Sequence, residues 1–355
     1  MHKKFGYILF LFILISQSVF AQLGGRYTYA FLELPISARA SALGHNMLPI
    51  YDKDLSLATT NPSLLNEEMS GRFNATFSNY LTDVNFGNLA YAKSFENGII
   101  GLASIRYINY GDFIEADEFG TILGQFSAGE YALNVAAGKA INDNWTAGVG
   151  LKLIYSTFEK YTSFGLASDY AMSYHSDDKL FASSLSISNL GFQFKPYSSR
   201  NQEPPPLNVQ IGMSKKFEHM PLRFIMIAHH LNKLDFSYVD PNQQIIRSFD
   251  DTEEQTLTTS FSEKVFRHFV FAGEFVLSEN FHVRLGYNHQ RRSELKIADR
   301  PGMVGYSWGF GLKIKKFYLS YGNSIYHVAG GSHMFSVTIS PSEFVKKKTV
   351  NDRLL

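Results

Sequence analysis

Two Ser-x-x-Lys quartets, Ser176-Asp177-Asp178-Lys179 and Ser293-Glu294-Leu295-Lys296, are the nearest this chain comes to a nucleophile beside a base. Acyl-serine enzymes place that quartet at a helix start, with Ser-Asp-Asn and Lys-Thr-Gly motifs elsewhere. Neither companion occurs here. The first quartet reads as a turn between strands and the second as loop, so no catalytic residue is assigned. His229 and His230 are adjacent in a stretch that reads as strand, which aims their rings at opposite faces and away from a shared metal. His327 and His333 lack a third ligand at usable spacing. There is no phosphate-binding loop, dinucleotide fingerprint or His-Glu-x-x-His. With no Cys there is no disulfide framework and no thiolate site. The expectation is a non-enzyme without metal or cofactor.

The surrounding elements explain why chemistry is scarce. Met1-His2-Lys3-Lys4, an apolar run from Phe5 to Ile15 and Val19-Phe20-Ala21 before Gln22 have the layout of a secretory signal peptide over 1–21. The run is too short to span a bilayer as a helix, which needs about 20 residues. Without Lys3 and Lys4 the 33 basic residues fall to 31, one fewer than the 32 acidic ones. So balanced a chain gives no hint of nucleic-acid binding, which wants a basic face. No later stretch is long and apolar enough for a membrane helix. Yet the chain holds 31 Phe, 20 Tyr and 27 Gly. An exported sequence of that kind points to an outer-membrane β-barrel, with a secreted sandwich or propeller as the soluble alternative.

From Arg72 onward the sequence alternates. Trp145, Ala147, Val149, Leu151, Leu153 and Tyr155 face one way; Thr146, Gly148, Gly150, Lys152 and Ser156 face the other, with Ile154 breaking the pattern. Val304 to Ile314 and Phe281 to Gln290 repeat it. Aromatic residues mark the ends of the oily faces, as interfacial girdles do. Fourteen strands are expected, at 72–80, 85–95, 98–108, 129–139, 145–157, 162–174, 180–189, 207–217, 221–231, 265–276, 281–291, 303–314, 316–327 and 331–340. Tight turns such as Asn97-Gly98, Asn142-Asp143-Asn144 and Ser278-Glu279-Asn280 tend to alternate with longer connections at 109–128, 190–206, 232–264 and 292–302. Short turns on the periplasmic side and long loops outside are the habit of an up-and-down barrel. The fold class is therefore all-β, a fourteen-stranded antiparallel transmembrane β-barrel over 72–340. Pro204-Pro205-Pro206 is a stiff loop in it rather than a domain linker, and 341–355 is a periplasmic tail containing Lys346-Lys347-Lys348.

Fourteen strands leave a bore between the filled and the open kinds. Residues 22–71 are expected to occupy it as a plug. Small side chains over Ser37 to Ala42 let that backbone lie close to the wall, and Leu55 to Leu65 reads as a short helix or two turns broken at Asn61-Pro62. Arg39 is the candidate plug contact, facing a carboxylate such as Asp169 or Glu274; a solvated Arg is the plain alternative. In the long loop 232–264, Asp250, Asp251, Glu253 and Glu254 lie near Tyr238 and other aromatics, which marks a candidate docking loop for a partner.

Phe31-Leu32-Glu33-Leu34-Pro35, Ala38-Arg39-Ala40, Ala42-Leu43-Gly44, Asp54-Leu55-Ser56-Leu57-Ala58 and Asn61-Pro62-Ser63-Leu64-Leu65 resemble the opening of the PorQ family. These are type IX secretion barrels of Bacteroidetes, related to PorV and more distantly to the fatty-acid transporter FadL. The motifs cover 31–65 only, and Gly44-His45 stands where related barrels often have Gly-Gly. The resemblance implies a scaffold of the attachment complex, holding a PorZ-like surface protein beside a sortase-like PorU and the barrel PorV. The alternative is a FadL-like transporter of hydrophobic molecules. Outer-membrane lipid is the remaining expected partner.

Overall fold

Strand β1 pairs with β2 on one side and with β14 on the other, so fourteen antiparallel strands close into a barrel in simple sequence order. The computed structural model describes residues 27–45, 49–80, 83–198, 202–233, 235, 260–297, 302–328 and 330–341. The strands are β1 Phe73–Asn79, β2 Asn85–Ser94, β3 Ile99–Ala116, β4 Ile122–Ala140, β5 Trp145–Phe158, β6 Tyr161–His175 and β7 Phe181–Lys195. They continue with β8 Asn208–Lys216, β9 Leu222–Ala228, β10 Phe269–Val276, β11 Phe281–Asn288, β12 Tyr306–Ile314, β13 Phe317–His327 and β14 Gly330–Ile339. The expected signal peptide and the tail beyond Pro341 lie outside the described residues.

The two faces of the wall are reversed relative to a water-soluble sheet. Along β5, Val149, Leu151 and Leu153 are exposed, whereas Thr146, Lys152 and Ser156 are buried. Apolar side chains left outside around a closed ring belong against acyl tails, not water. An aromatic belt runs through the register: Tyr107 opposes Tyr131, Tyr131 opposes Tyr155, and Tyr155 opposes Phe164. On β5 the lower belt is Trp145, whose ring meets Tyr174. Ten residues at a rise of ~3.3 Å and a tilt of ~40° span roughly 25 Å in height, the thickness of an outer-membrane apolar band.

Turn chemistry follows the sequence. Asn97 and Gly98 both take positive φ, 64° and 70°, as a tight hairpin turn requires. The long connections differ from expectation. Strands β3 and β4 extend toward each other as a ribbon instead of leaving a loop at 109–128. Strand β7 reaches Lys195, and β9 stops at Ala228. Residues 261–266 are helical, so β10 begins at Phe269 instead of 265, and a second helix interrupts 292–302 at its start.

The N-terminal segment packs against the inward face. Ser37 caps helix α1 (Ala38–Ala42) by accepting the Ala40 N–H at 3.1 Å, and Asp54 caps α2 (Leu55–Ala58) through Ser56 N–H at 3.1 Å. A 3-10 turn follows at Pro62–Leu64, the break expected at Asn61-Pro62. Leu43, Ile50, Leu57 and Leu64 are buried with Ile225, Ile227 and Val270 of the wall. Ile154, the residue that broke the alternation of β5, turns inward onto the cluster of Tyr29, Phe31 and Leu32.

Candidate functional site

Small residues and glycines face each other where the segment meets the wall. A Cβ on Gly322 would collide with the Ala38 carbonyl, and one on Gly309 would lie 2.6 Å from Ala42 Cβ. One on Gly148 would collide with the backbone at Pro62 and Ser63. Those positions admit the backbone of the segment only because no side chain occupies them. Serines then supply the polar partners. Ser336 Oγ accepts the Ala38 N–H at 2.8 Å, Ser307 Oγ donates to the Ala42 carbonyl at 3.0 Å, and Ser63 and Ser173 hydroxyls meet at 2.6 Å.

At the centre is an ion network. The Arg39 guanidinium donates to Glu274 from Nε at 3.0 Å and Nη2 at 2.8 Å, and to Asp52 at 2.8 Å and Asp54 at 3.1 Å. Glu274, fully buried, also receives Arg223 Nη1 at 2.6 Å and Arg284 Nε at 2.9 Å. Arg284 continues to the Tyr318 hydroxyl at 2.6 Å. Three guanidinium groups thus meet three carboxylates, a neutral set with its hydrogen bonds made, which is the condition for charge to survive burial. The expected contact of Arg39 with Glu274 is present. The one with Asp169 is not, because Asp169 is taken by Lys152 Nζ at 2.7 Å. Asp52 and Asp54 were missed; they reach Arg39 because the segment folds back on itself, with Asp52 Oδ1 accepting the Asp54 N–H at 2.9 Å.

A second polar group lies nearer the outer mouth. Lys152 also donates to Asn189 at 2.7 Å, and Arg106 donates to the Leu32 carbonyl at 2.8 Å. His229 Nδ1 and His230 Nδ1 lie 2.7 Å apart, and His230 Nε2 is 2.8 Å from Glu33. The expectation that these rings face apart is overturned: β9 ends at Ala228 and His230 takes a left-handed φ of 55°, which removes the strand alternation on which it rested. Among the described residues no three metal-ligating groups converge.

A cavity of about 230 Å³ opens here between Glu33, Lys152, Gln210, His230, Asn288 and Arg291. A separate space beside Arg106, Asn134 and Lys152 measures only about 10 Å³, room for one water at most. The lining of the larger cavity mixes charged, imidazole and amide groups with Leu32, Pro35 and Leu295. The candidate docking residues Tyr238, Asp250, Asp251, Glu253 and Glu254 lie outside the described residues.

Beyond the membrane, helices α3 (Phe261–Phe266) and α4 (His289–Leu295) touch through Glu263, which accepts from Ser293 Oγ at 2.5 Å and from His289 Nε2 at 3.1 Å.

No protein-family model matches the chain, and no curated protein matches its sequence. Solved structures do match in fold. The toluene transporter TbuX of Ralstonia pickettii aligns with a TM-score of 0.52 at 9% identity, over 87% of this chain and 98% of that one. The toluene transporter TodX of Pseudomonas putida gives 0.49 at 10% identity, over 86% and 96%. A FadL homologue of Pseudomonas aeruginosa gives 0.49 at 8% identity, over 87% and 99%. The likeness to TbuX is one of fold alone: a closed antiparallel β-barrel, consistent with the outer membrane of a Gram-negative bacterium.

Proposed function

We propose that this chain is a non-enzymatic outer-membrane scaffold of a type IX secretion attachment complex, holding a PorZ-like surface protein beside PorU- and PorV-like components. The observation that carries this reading is the filled lumen. The described part of the segment bearing the PorQ-like motifs is tied to the inner wall by the neutral Arg39–Glu274 network, and the cavity beside it has Glu33, Lys152, His229 and His230 in its lining. A bore occupied by this segment leaves the outer loops as the surface offered to a partner. The acidic segment with Tyr238, Asp250, Asp251, Glu253 and Glu254 belongs to the docking region in this reading.

A second reading has its own observation. The fold matches a barrel described as a toluene transporter, and this comparison favours transport of hydrophobic molecules more directly than it favours a secretion scaffold. The charged and imidazole groups in the cavity, Glu33, Lys152, His229 and His230, and the small space beside Arg106 weigh against it, since apolar cargo is held in mostly apolar pockets. Affinity purification from detergent-solubilised outer membranes, followed by mass spectrometry for protein and lipid, separates the two. A stoichiometric surface protein with no apolar ligand is expected. A bound fatty acid or hydrocarbon without a protein partner would install the transporter reading instead.

A further inference from the structure

Strand β3 pairs with β2 only as far as Asn109, opposite Asn85, and β4 pairs with β5 only from Ala128, opposite Phe158. Beyond these points Asp112–Ala116 pairs with Ile122–Ser127 alone. The register shifts between Asn109 and Asp112, where Gly111 takes a φ of 87°, so a bulge sets the ribbon apart from the wall. From Tyr131 in the upper aromatic belt to Ile122 is nine residues, roughly 30 Å along the strand. The tip therefore stands well clear of the apolar band.

Its side chains do not suit a free ribbon in water. Phe119 is 85% exposed, Ile122 68%, and Ile114 and Leu123 63% each. The tip is nonetheless held in shape. Asp117 Oδ1 accepts the N–H groups of Phe119 at 3.0 Å and Thr121 at 2.8 Å, and the rings of Phe113 and Phe126 stack at 5.2 Å. Around the apolar residues stand Asp112, Glu115, Asp117 and Glu118, and there is no Lys or Arg from Tyr107 to Gly138. Lys160, in the adjoining β5–β6 turn, is paired with Glu159 at 3.0 Å.

We infer that this acidic, apolar-tipped ribbon is a docking surface for a protein with a basic rim around an apolar patch. The inference rests on the scaffold reading and names its site of contact. Charge selects the occupant. The anionic headgroups of lipopolysaccharide repel four carboxylates, and a second copy of the ribbon carries the same sign. A basic protein surface is attracted to the rim and covers the exposed rings, while the unpaired ribbon edges can take an added strand.

The test uses the full-length chain in native outer membranes, with a photo-crosslinking phenylalanine analogue replacing Phe119. Illumination is expected to give an adduct with one protein, through a peptide of net positive charge. Its yield is expected to fall about tenfold in about 0.5 M salt, where screening is short-ranged, and in the variant Asp112→Asn/Glu115→Gln/Asp117→Asn/Glu118→Gln. Heat-dependent migration on a gel checks that the variant barrel is folded. Adducts with lipopolysaccharide, adducts with a second copy, no adduct, or a yield indifferent to charge each overturn the inference. A surface protein that co-purifies yet never crosslinks at Phe119 overturns the ribbon while leaving the scaffold reading in place.

Discussion

Arg39 and Glu274 lie 235 residues apart in sequence and meet through two parallel N–H···O bonds inside the barrel, both side chains buried. The pair joins the N-terminal segment to strand β10 and lets Glu274 hold Arg223 and Arg284 as well. Removing one member leaves the others with unbalanced charge. Breaking a buried pair from one side costs about 3–5 kcal/mol, more than the pair itself contributes over an apolar replacement. Arg39→Ala and Glu274→Gln are each expected to lower the heat needed to unfold the barrel on a gel. Both are also expected to raise single-channel conductance in planar bilayers, because the segment loses its anchor. Unchanged conductance in both variants would mean the segment seals the bore without this network.

The fit of small residues against wall glycines gives a second prediction. Gly322 faces the Ala38 carbonyl, and no existing space accepts a side chain there. Gly322→Leu is expected to dislodge the segment, costing at least the roughly 1–3 kcal/mol typical of overpacking. Gly330→Ala, with nothing within 4 Å of the added carbon, is the control. Limited proteolysis should cut between residues 30 and 70 in the first variant and not in the second.

Reversed faces make a third prediction. Leu151 is 52% exposed and lies midway between Trp145 and Tyr155, at the centre of the apolar band. Leu151→Arg is expected to destabilise the barrel by about 2–4 kcal/mol in lipid, against about 0–1 for Trp145→Arg near the interface. Urea unfolding in vesicles measures both. In a soluble protein an exposed Leu→Arg would be close to neutral, so equal midpoints would remove the membrane assignment.

Which features could be read in advance follows from this geometry. Alternation was legible because lipid and lumen impose opposite chemistry on successive residues of β5 and β12. It fails where both faces meet water: on the ribbon above Asn109 nearly every side chain is exposed, so Gly111, Asp112 and Asp117 read as loop. The His229–His230 contact was hidden because it depends on one positive φ, which His does not announce. Arg39 stood out as a lone charge among small residues, but its partners Asp52 and Asp54 depend on a fold-back with no local signature.

The clasp between the two outer helices gives the pH prediction. Burial pushes the Glu263 carboxyl up, but hydrogen bonds from Ser293 and His289 and the charges of His289 and Arg267 outweigh it and hold the group below its ordinary 4.5. A carboxylate whose folded pKa is depressed stabilises the folded form above its unfolded pKa, and that stabilisation disappears as pH falls through the lower folded value. The clasp is therefore expected to be intact at neutral pH and to loosen only below about pH 4.5. A spin label attached at Phe266→Cys should gain mobility over that range. In Glu263→Gln, which cannot ionise, mobility should be raised at neutral pH and flat on acidification. A label that loosens instead between pH 5 and 7 would displace Glu263 as the group that sets the transition.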